Sequence, residues 1–269
     1  MSKRHKIGIP RDEFFFHTIM NENPRDYLQM TINVNSNEHN EIIEYCHSNN
    51  INIIFPYSCP HTQYLIKNRD KFYKKNIKFL VPNLYVFLCF DDKALFSIFM
   101  HYFNFEQYMP KYYDTIKIPC ILKHKSLDYG RSSYIIKNES DIPDVNLKKY
   151  VICEIIEGEN EYATHILAQN GKIELHLTVK HKFTSQTFIH GTQTKPLYSK
   201  LVILDDKILD VFNNIIKASS YSGMLCIDYK IVDDKPIIFE INPRVGGSLV
   251  RCGLIANFID KYCKLCKNI

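Results

Sequence analysis

Residues 223–248, GMLCIDYKIVDDKPIIFEINPRVGGS, constrain the fold more than any other stretch of the chain. Two alternating runs flank Asp233-Asp234-Lys235, and Asn-Pro-Arg and Gly-Gly-Ser follow at once. The pattern predicts an antiparallel hairpin in which Leu225, Ile227, Tyr229 and Ile231 share a face that Ile237, Phe239 and Ile241 continue. The other face carries Asp228, Lys230, Glu240 and Asn242. Side chains two apart on a strand point the same way at about 7 Å. Glu240 and Asn242 can therefore reach one ion, and Asp228 can join them from the neighbouring strand. Hard oxygen donors suit Mg²⁺, which commonly accompanies phosphates. The spacing alone leaves a merely solvated outer face open as well. For Asp228 to oppose Glu240, paired positions must sum to an even number. That favours an odd-length loop such as Asp233-Asp234-Lys235; a two-residue turn puts Asp228 on the wrong face unless a bulge corrects it.

The rest of the 269 residues has globular composition, 45% hydrophobic and 23% charged, enough for one large or two small domains. The net charge of +5 is dispersed, so no basic stripe points to nucleic acid. Basic residues at Ser2–Lys6 are not followed by an apolar run, which argues against a signal peptide. The most apolar run, Phe79–Phe90, holds Pro82 and Asn83 and falls short of the roughly 20 residues a span needs. A soluble, cytoplasmic chain with no membrane partner is expected. Nine scattered cysteines read as reduced thiols. Cys263 and Cys266 form a C-x-x-C without the second pair that a zinc site requires, so helix packing is the better reading.

Along the chain, a strand at 5–10, a helix at 38–48, a strand at 51–56, a helix at 61–74 and a strand at 77–81 suggest a small parallel α/β unit. Asp91-Asp92-Lys93 opens a helix to about His101, its acids matching the positive dipole end. Strands are expected at 118–123, 134–137, 150–156, 162–167, 172–176 and 179–183. An amphipathic helix is expected over 205–219, and a last helix from about Leu249.

Phosphate chemistry needs fixed cations, and Lys93 at a helix start and Lys123 at a strand end are two. The small-residue loop Ser126–Ser133, with Gly130, Ser132 and Ser133, can turn backbone N–H groups onto phosphates, although a surface turn has the same composition. It is not a Walker A loop. At 154–162 an edge leaves a strand. Its backbone can pair with an adenine edge, Ile156 can pack on the ring, and Glu161 can accept from ribose hydroxyls. The basic stretch Lys180, His181, Lys182, His190 and Lys195 is expected as a solvated loop, with contact to an anionic substrate or the transferred phosphate as the alternative, and His165 as a structural histidine.

In order, these pieces are a lysine before a helix, a strand lysine followed by a glycine loop, E-x-I-x-G with Glu-Tyr, G-x-x-x-x-D, and E-I-N-P-R-x-G-G-S. From about Phe90 to the end the chain resembles the ATP-grasp superfamily. The likeness is to its carboxylate–amine ligases and to the ATP-binding domains of carbamoyl phosphate synthase and D-alanine–D-alanine ligase. The resemblance implies an α/β (α+β) fold whose two lobes grip ATP. It divides the chain into a short pre-ATP-grasp domain (1–90), a small lobe (91–157) and a large lobe with the metal site (158–269).

It further implies that Lys93, Lys123, Gly130, Ser132 and Ser133 hold ATP phosphates. Glu154 and Ile156 would line the adenine pocket, and Glu161 would bind ribose. Asp228, Glu240 and Asn242 would hold Mg²⁺, with Mn²⁺ as a substitute. Arg244 and Lys123 would be catalytic. Arg244, Gly246, Gly247 and Ser248 would meet the substrate. The partners implied are a small carboxylate and an amine, and a homodimer is compatible with the family. Phosphoryl transfer asks for positioning and charge neutralisation rather than a nucleophilic side chain. A small-molecule kinase and a nucleotide-binding module without catalysis are the alternatives. The chain departs from the family in a glycine loop with a single glycine, and in Asn160, which adds a residue between Gly158 and Glu161.

Overall fold

The computed structural model describes residues 6–10, 27–30, 39–126, 130, 132–191 and 193–269. The N-terminal unit holds strands β1 (Lys6–Pro10), β2 (Tyr27–Met30) and β3 (Ile51–Ile54) and helices α1 (His39–Ser48) and α2 (Cys59–Tyr73). Its sheet is parallel in the order β2-β1-β3, as the alternation of strands and helices predicts. The strand expected at 77–81 does not form. One parallel bridge joins Ile53 to Lys78, and the Leu80 amide donates instead to the Tyr262 hydroxyl at 2.6 Å. That segment is buried like a strand, which is why its sequence reads as one, but a side chain satisfies part of its backbone.

The apolar run beyond it becomes helix α3 (Leu84–Asp91), capped by Asn83, whose side-chain oxygen accepts from the Val86 amide at 2.9 Å. Asp92 then caps α4 (Lys93–Tyr102), accepting from the amides of Ala94 and Leu95. The expected acidic start is thus a side-chain cap, and it leaves Lys93 as the first helical residue.

Strands β4 (Tyr112–Tyr113), β5 (Cys120–His124), β6 (Ser133–Ile136) and β7 (Tyr150–Cys153) make an antiparallel sheet in the order β4-β7-β5-β6. A larger antiparallel sheet comprises β8 (Asn160–Gln169), β9 (Lys172–Lys182), β10 (Tyr198–Val202), β11 (Gly223–Val232) and β12 (Lys235–Asn242), in the order β10-β9-β8-β11-β12. The two strands expected at 172–176 and 179–183 are one, because β9 pairs with β8 along its whole length. Lys180, His181 and Lys182 therefore belong to a strand and not to a loop. The exposed edge strand β10 has no apolar alternation and leaves no sequence signal. Helices α5 (Asp206–Ser219), α6 (Gly247–Arg251) and α7 (Ile255–Cys266) complete the chain, so the single last helix expected is two.

The hairpin corrects the register argument. Its turn is the two residues Asp233-Asp234, with φ of 48° and 60°, the left-handed pair that short hairpins favour. Pairing runs Val232↔Lys235 to Tyr229↔Ile238 and then shifts, so that Asp228 opposes Glu240 and Phe239 is the extra residue. The odd-length loop is wrong; the bulge does the work. It also moves the apolar face. Ile238 and Ile241 are fully buried, whereas Ile237 and Phe239 are only partly covered and Ile231 is exposed.

Two large cores flank this sheet. In one, the N-terminal unit shares its interior with α6 and α7, and the Tyr262 hydroxyl donates to Ile54 O at 3.0 Å. The other lies beneath α3, α4 and α5. Cys266 is buried in the first, and Cys263 packs against it. No described helix is long and apolar enough to cross a membrane.

Candidate active site

The two antiparallel sheets face each other across a cavity of about 680 Å³. From the smaller sheet and its connections come Lys123, Gly130, Ser133, Glu154 and Ile156; from the larger sheet, Glu161, Asp228 and Glu240. Lys93 enters from α4, while Arg244, Gly246, Gly247 and Ser248 enter from the segment after β12. Of the residues that the resemblance assigns to the site, Ser132 and Asn242 do not reach the cavity surface. Ser132 precedes Ser133 in a left-handed conformation (φ 51°), and Asn242 lies behind the carboxylates. Leu127–Tyr129 and Arg131 of the glycine loop lie outside the described residues.

At one end the side chains form a charged lattice. The Asn242 amide nitrogen donates to Asp228 Oδ2 at 2.9 Å and to Glu240 Oε1 at 3.1 Å. Its oxygen accepts from Arg244 Nη2 at 3.2 Å, and Arg244 Nη1 donates to Val245 O at 3.0 Å. Lys93 Nζ stands 2.8 Å from Glu240 Oε2. Burial, then the neighbouring Glu240 and Glu161, push the Asp228 carboxyl up to about 7. Burial also pushes Glu240 upward, but the Lys93 and Lys123 ammonium groups and hydrogen bonds from Lys93 and Asn242 outweigh it and hold Glu240 low. Two carboxylates in one dry site cannot both stay charged unless cations neutralise them. Asp228 and Glu240 therefore fit a divalent ion that takes one or two carboxylates from the protein and the rest of its shell from phosphates and water.

The opposite end is built mainly from backbone. The Glu154 carboxylate accepts from the Lys111 amide at 2.7 Å, so this side chain braces the approach to β4. Ile156 O accepts from Lys230 Nζ at 2.8 Å. Glu161, almost buried, accepts from His190 Nδ1. Burial opposes charge on His190, yet the hydrogen bond and charge of Glu161 raise its pKa overall. Lys123 Nζ lies 4.6 Å from the centre of the Phe239 ring, the bulged residue. A Cβ on Gly130 would lie 2.6 Å from His190 O, and its φ of +67° is one that side chains disfavour. The single glycine of the loop is thus placed where only glycine fits.

Several cavity-lining positions were not assigned to the site from the sequence. His181, His190 and Lys195, expected as solvated, line the cavity, together with Phe188, Lys230 and Phe239. His181 is almost buried and its Nδ1 lies 2.7 Å from Ser199 Oγ; burial lowers its pKa to about 4. His165 is wholly buried, with Nε2 2.8 Å from Ser248 Oγ. A Cβ on Gly246 would come within 2.5 Å of its ring. Only alternation marked these side chains beforehand. Their partners lie far away in sequence.

A family model for the ATP-grasp domain matches residues 95–249. An uncharacterized protein from Methanocaldococcus jannaschii is 28% identical over 190 residues, covering 68% of this chain. The chain spans 42% of the length of that relative. Biotin carboxylase from Campylobacter jejuni, solved as a β-γ-ATP complex, matches with a TM-score of 0.66 at 15% identity, over 93% of this chain and 67% of its own. D-alanine–D-alanine ligase from Bacillus anthracis matches with a TM-score of 0.63 at 15% identity, over 97% and 96%. The chain belongs to the ATP-grasp family and has the ATP-grasp fold.

Proposed function

We propose that this protein is an ATP- and Mg²⁺-dependent carboxylate–amine ligase. The observation that carries the reading is the opposed Asp228–Glu240 pair, bridged by Asn242 and flanked by Lys93 and Arg244, in the cavity that the Gly246–Ser248 turn enters. Asp228 and Glu240 would hold Mg²⁺, or Mn²⁺ in its place, and Asn242 would join them by turning its oxygen inward. The ion, when bound, neutralises phosphate charge and draws electron density from the transferring group.

The chain's own residues position the reactants. Lys93 and Lys123 supply charge to the phosphates, with Gly130 and Ser133 beside them. Glu154 and Ile156 shape the adenine end, and Glu161, with His190, faces the ribose. In the first step a carboxylate oxygen bonds to the γ-phosphorus as the bridging P–O bond breaks, and ADP leaves with that electron pair. Arg244 and Lys123 stabilise the charge that moves. In the second step an amine nitrogen attacks the acyl carbon, phosphate departs, and the amine loses a proton to solvent. Amide donors of Gly246, Gly247 and Ser248 would steady the acyl oxygen. In domain terms, residues 1–90 would precede a small lobe at 91–157 and a large lobe at 158–269.

The test is release of ADP and phosphate across a panel of carboxylates and amines. Release should require Mg²⁺, a carboxylate and an amine together. ATP binding without release across a broad panel would sink the ligase reading. A stable phosphorylated product, formed without amine, would make the protein a kinase instead.

A further inference from the structure

Lys230 is an unexpected residue for the floor of a nucleotide cavity. It lies two positions after Asp228 on β11 and is only 4% exposed. A cation so far from water needs strong partners, yet among the described residues none of those bonded to Lys230 Nζ is a carboxylate. The ammonium donates to Ile156 O at 2.8 Å and to Gln186 O at 3.2 Å, and stands 4.2 Å from the centre of the Phe188 ring.

Those partners come from two separate segments. Ile156 belongs to the stretch leaving β7, and Gln186 and Phe188 belong to the stretch after β9. Gln186 O also accepts from the Gly158 amide at 3.0 Å, and Phe188 is itself stacked on Phe183 with ring centres 3.7 Å apart. Backbone and the Lys230 ammonium therefore both tie these segments, and the two bonds meet at Gln186 O. Ile156 and Phe188 both line the cavity. A single ammonium bonded to both segments adds a second tie between them at the cavity surface.

We propose that Lys230 is a positioning residue for the nucleoside end of the bound nucleotide, clamping together the two segments whose Ile156 side chain and Phe188 ring edge border the base. The proposal rests on the nucleotide reading of this cavity. It assigns Lys230 no part in phosphate binding, and that separates it from a residue that merely keeps the protein folded.

The test is calorimetric titration of ATP and of inorganic tripolyphosphate, each with Mg²⁺, into the wild-type chain, K230M and K230R. Methionine keeps the stem and removes the charged donor; arginine can reach both carbonyls. K230M should bind ATP about tenfold more weakly, the scale of one lost charge-assisted hydrogen bond. Its affinity for tripolyphosphate should stay within about twofold of wild type, and K230R should recover most of the ATP affinity. Unchanged ATP binding by K230M, or an equal loss for ATP and tripolyphosphate, overturns the proposal. No ATP binding by the wild-type chain overturns the nucleotide reading itself, and the proposal with it.

Discussion

The two ends of the cavity are built in different ways. The acidic end is made of side chains from one hairpin and the turn after it: Asp228, Glu240, Asn242 and Arg244, joined by bonds of 2.9 to 3.2 Å. At the opposite end, carbonyl groups from two distant segments are held by one lysine. A side-chain site depends on residue type and spacing. A backbone site depends on how segments are held, so the residues that shape it need not be those that would touch the ligand.

The largest effect should follow from E240Q, which keeps the shape and removes a charge that Lys93 pairs with. Turnover of ATP, read as ADP release with an active carboxylate and amine, should fall by roughly 10³-fold, as it does when preorganised charge at a phosphoryl-transfer centre is removed. Retained activity would erase the distinction between the two ends.

Gly246 and Gly247 sharpen it further. A Cβ at Gly246 would lie 2.5 Å from the His165 ring and 2.7 Å from Cys226 Sγ, whereas at Gly247 it would meet nothing within 4 Å. G246A should cost about 1–3 kcal/mol as overpacking and lower the melting temperature by several degrees, while G247A should leave it nearly unchanged. Equal melting temperatures for the two variants would mean that the turn is not pressed onto His165.

The Glu161–His190 pair predicts a pH effect of smaller size. The folded His190 pKa is raised above its ordinary value of 6.5. The pair therefore contributes its full stability below about pH 6.5 and loses it as pH rises through the folded value. Thermal unfolding from pH 6 upward should show this decline in wild type and a flatter profile in H190Q. Identical profiles would mean that His190 is not charged in the fold.

The smallest effect should come from I156V. The carbonyl at this position is what Lys230 engages, so trimming one methyl group should change ATP affinity by less than about threefold. A larger loss than that of K230M would mean that the side chain, not the clamped backbone, forms the wall.

Much of the fold was legible because it rests on local rules. Alternation exposed the hairpin, and the apolar spacing of residues 205–219 exposed α5. The parallel N-terminal unit followed from strands alternating with helices. Failures occurred where distant partners decide. Residues 77–81 have the composition of a strand, but the Tyr262 hydroxyl takes a bond that a ladder would have made. Edge strand β10 carries no pattern because it has no buried face to encode. Within the candidate site, Asp228, Glu240, Asn242 and Arg244 were legible from spacing. His165 is the structural histidine expected, and Lys230 lies on the expected face, but the partners of Lys230, His181 and His190 were not legible, since nothing within a few residues of each marks them.

By itself the sequence determined the family and the residue types at the acidic end, because strand periodicity and the Asn-Pro-Arg-x-Gly-Gly-Ser run are local. The tertiary structure decided the register. A two-residue turn would have turned Asp228 away from Glu240, and the bulge at Phe239 brings them face to face. It also decided that Lys230 bonds two carbonyls 74 and 44 residues away. Such contacts depend on where folded segments come to lie, a property of the packed whole that no window of sequence contains.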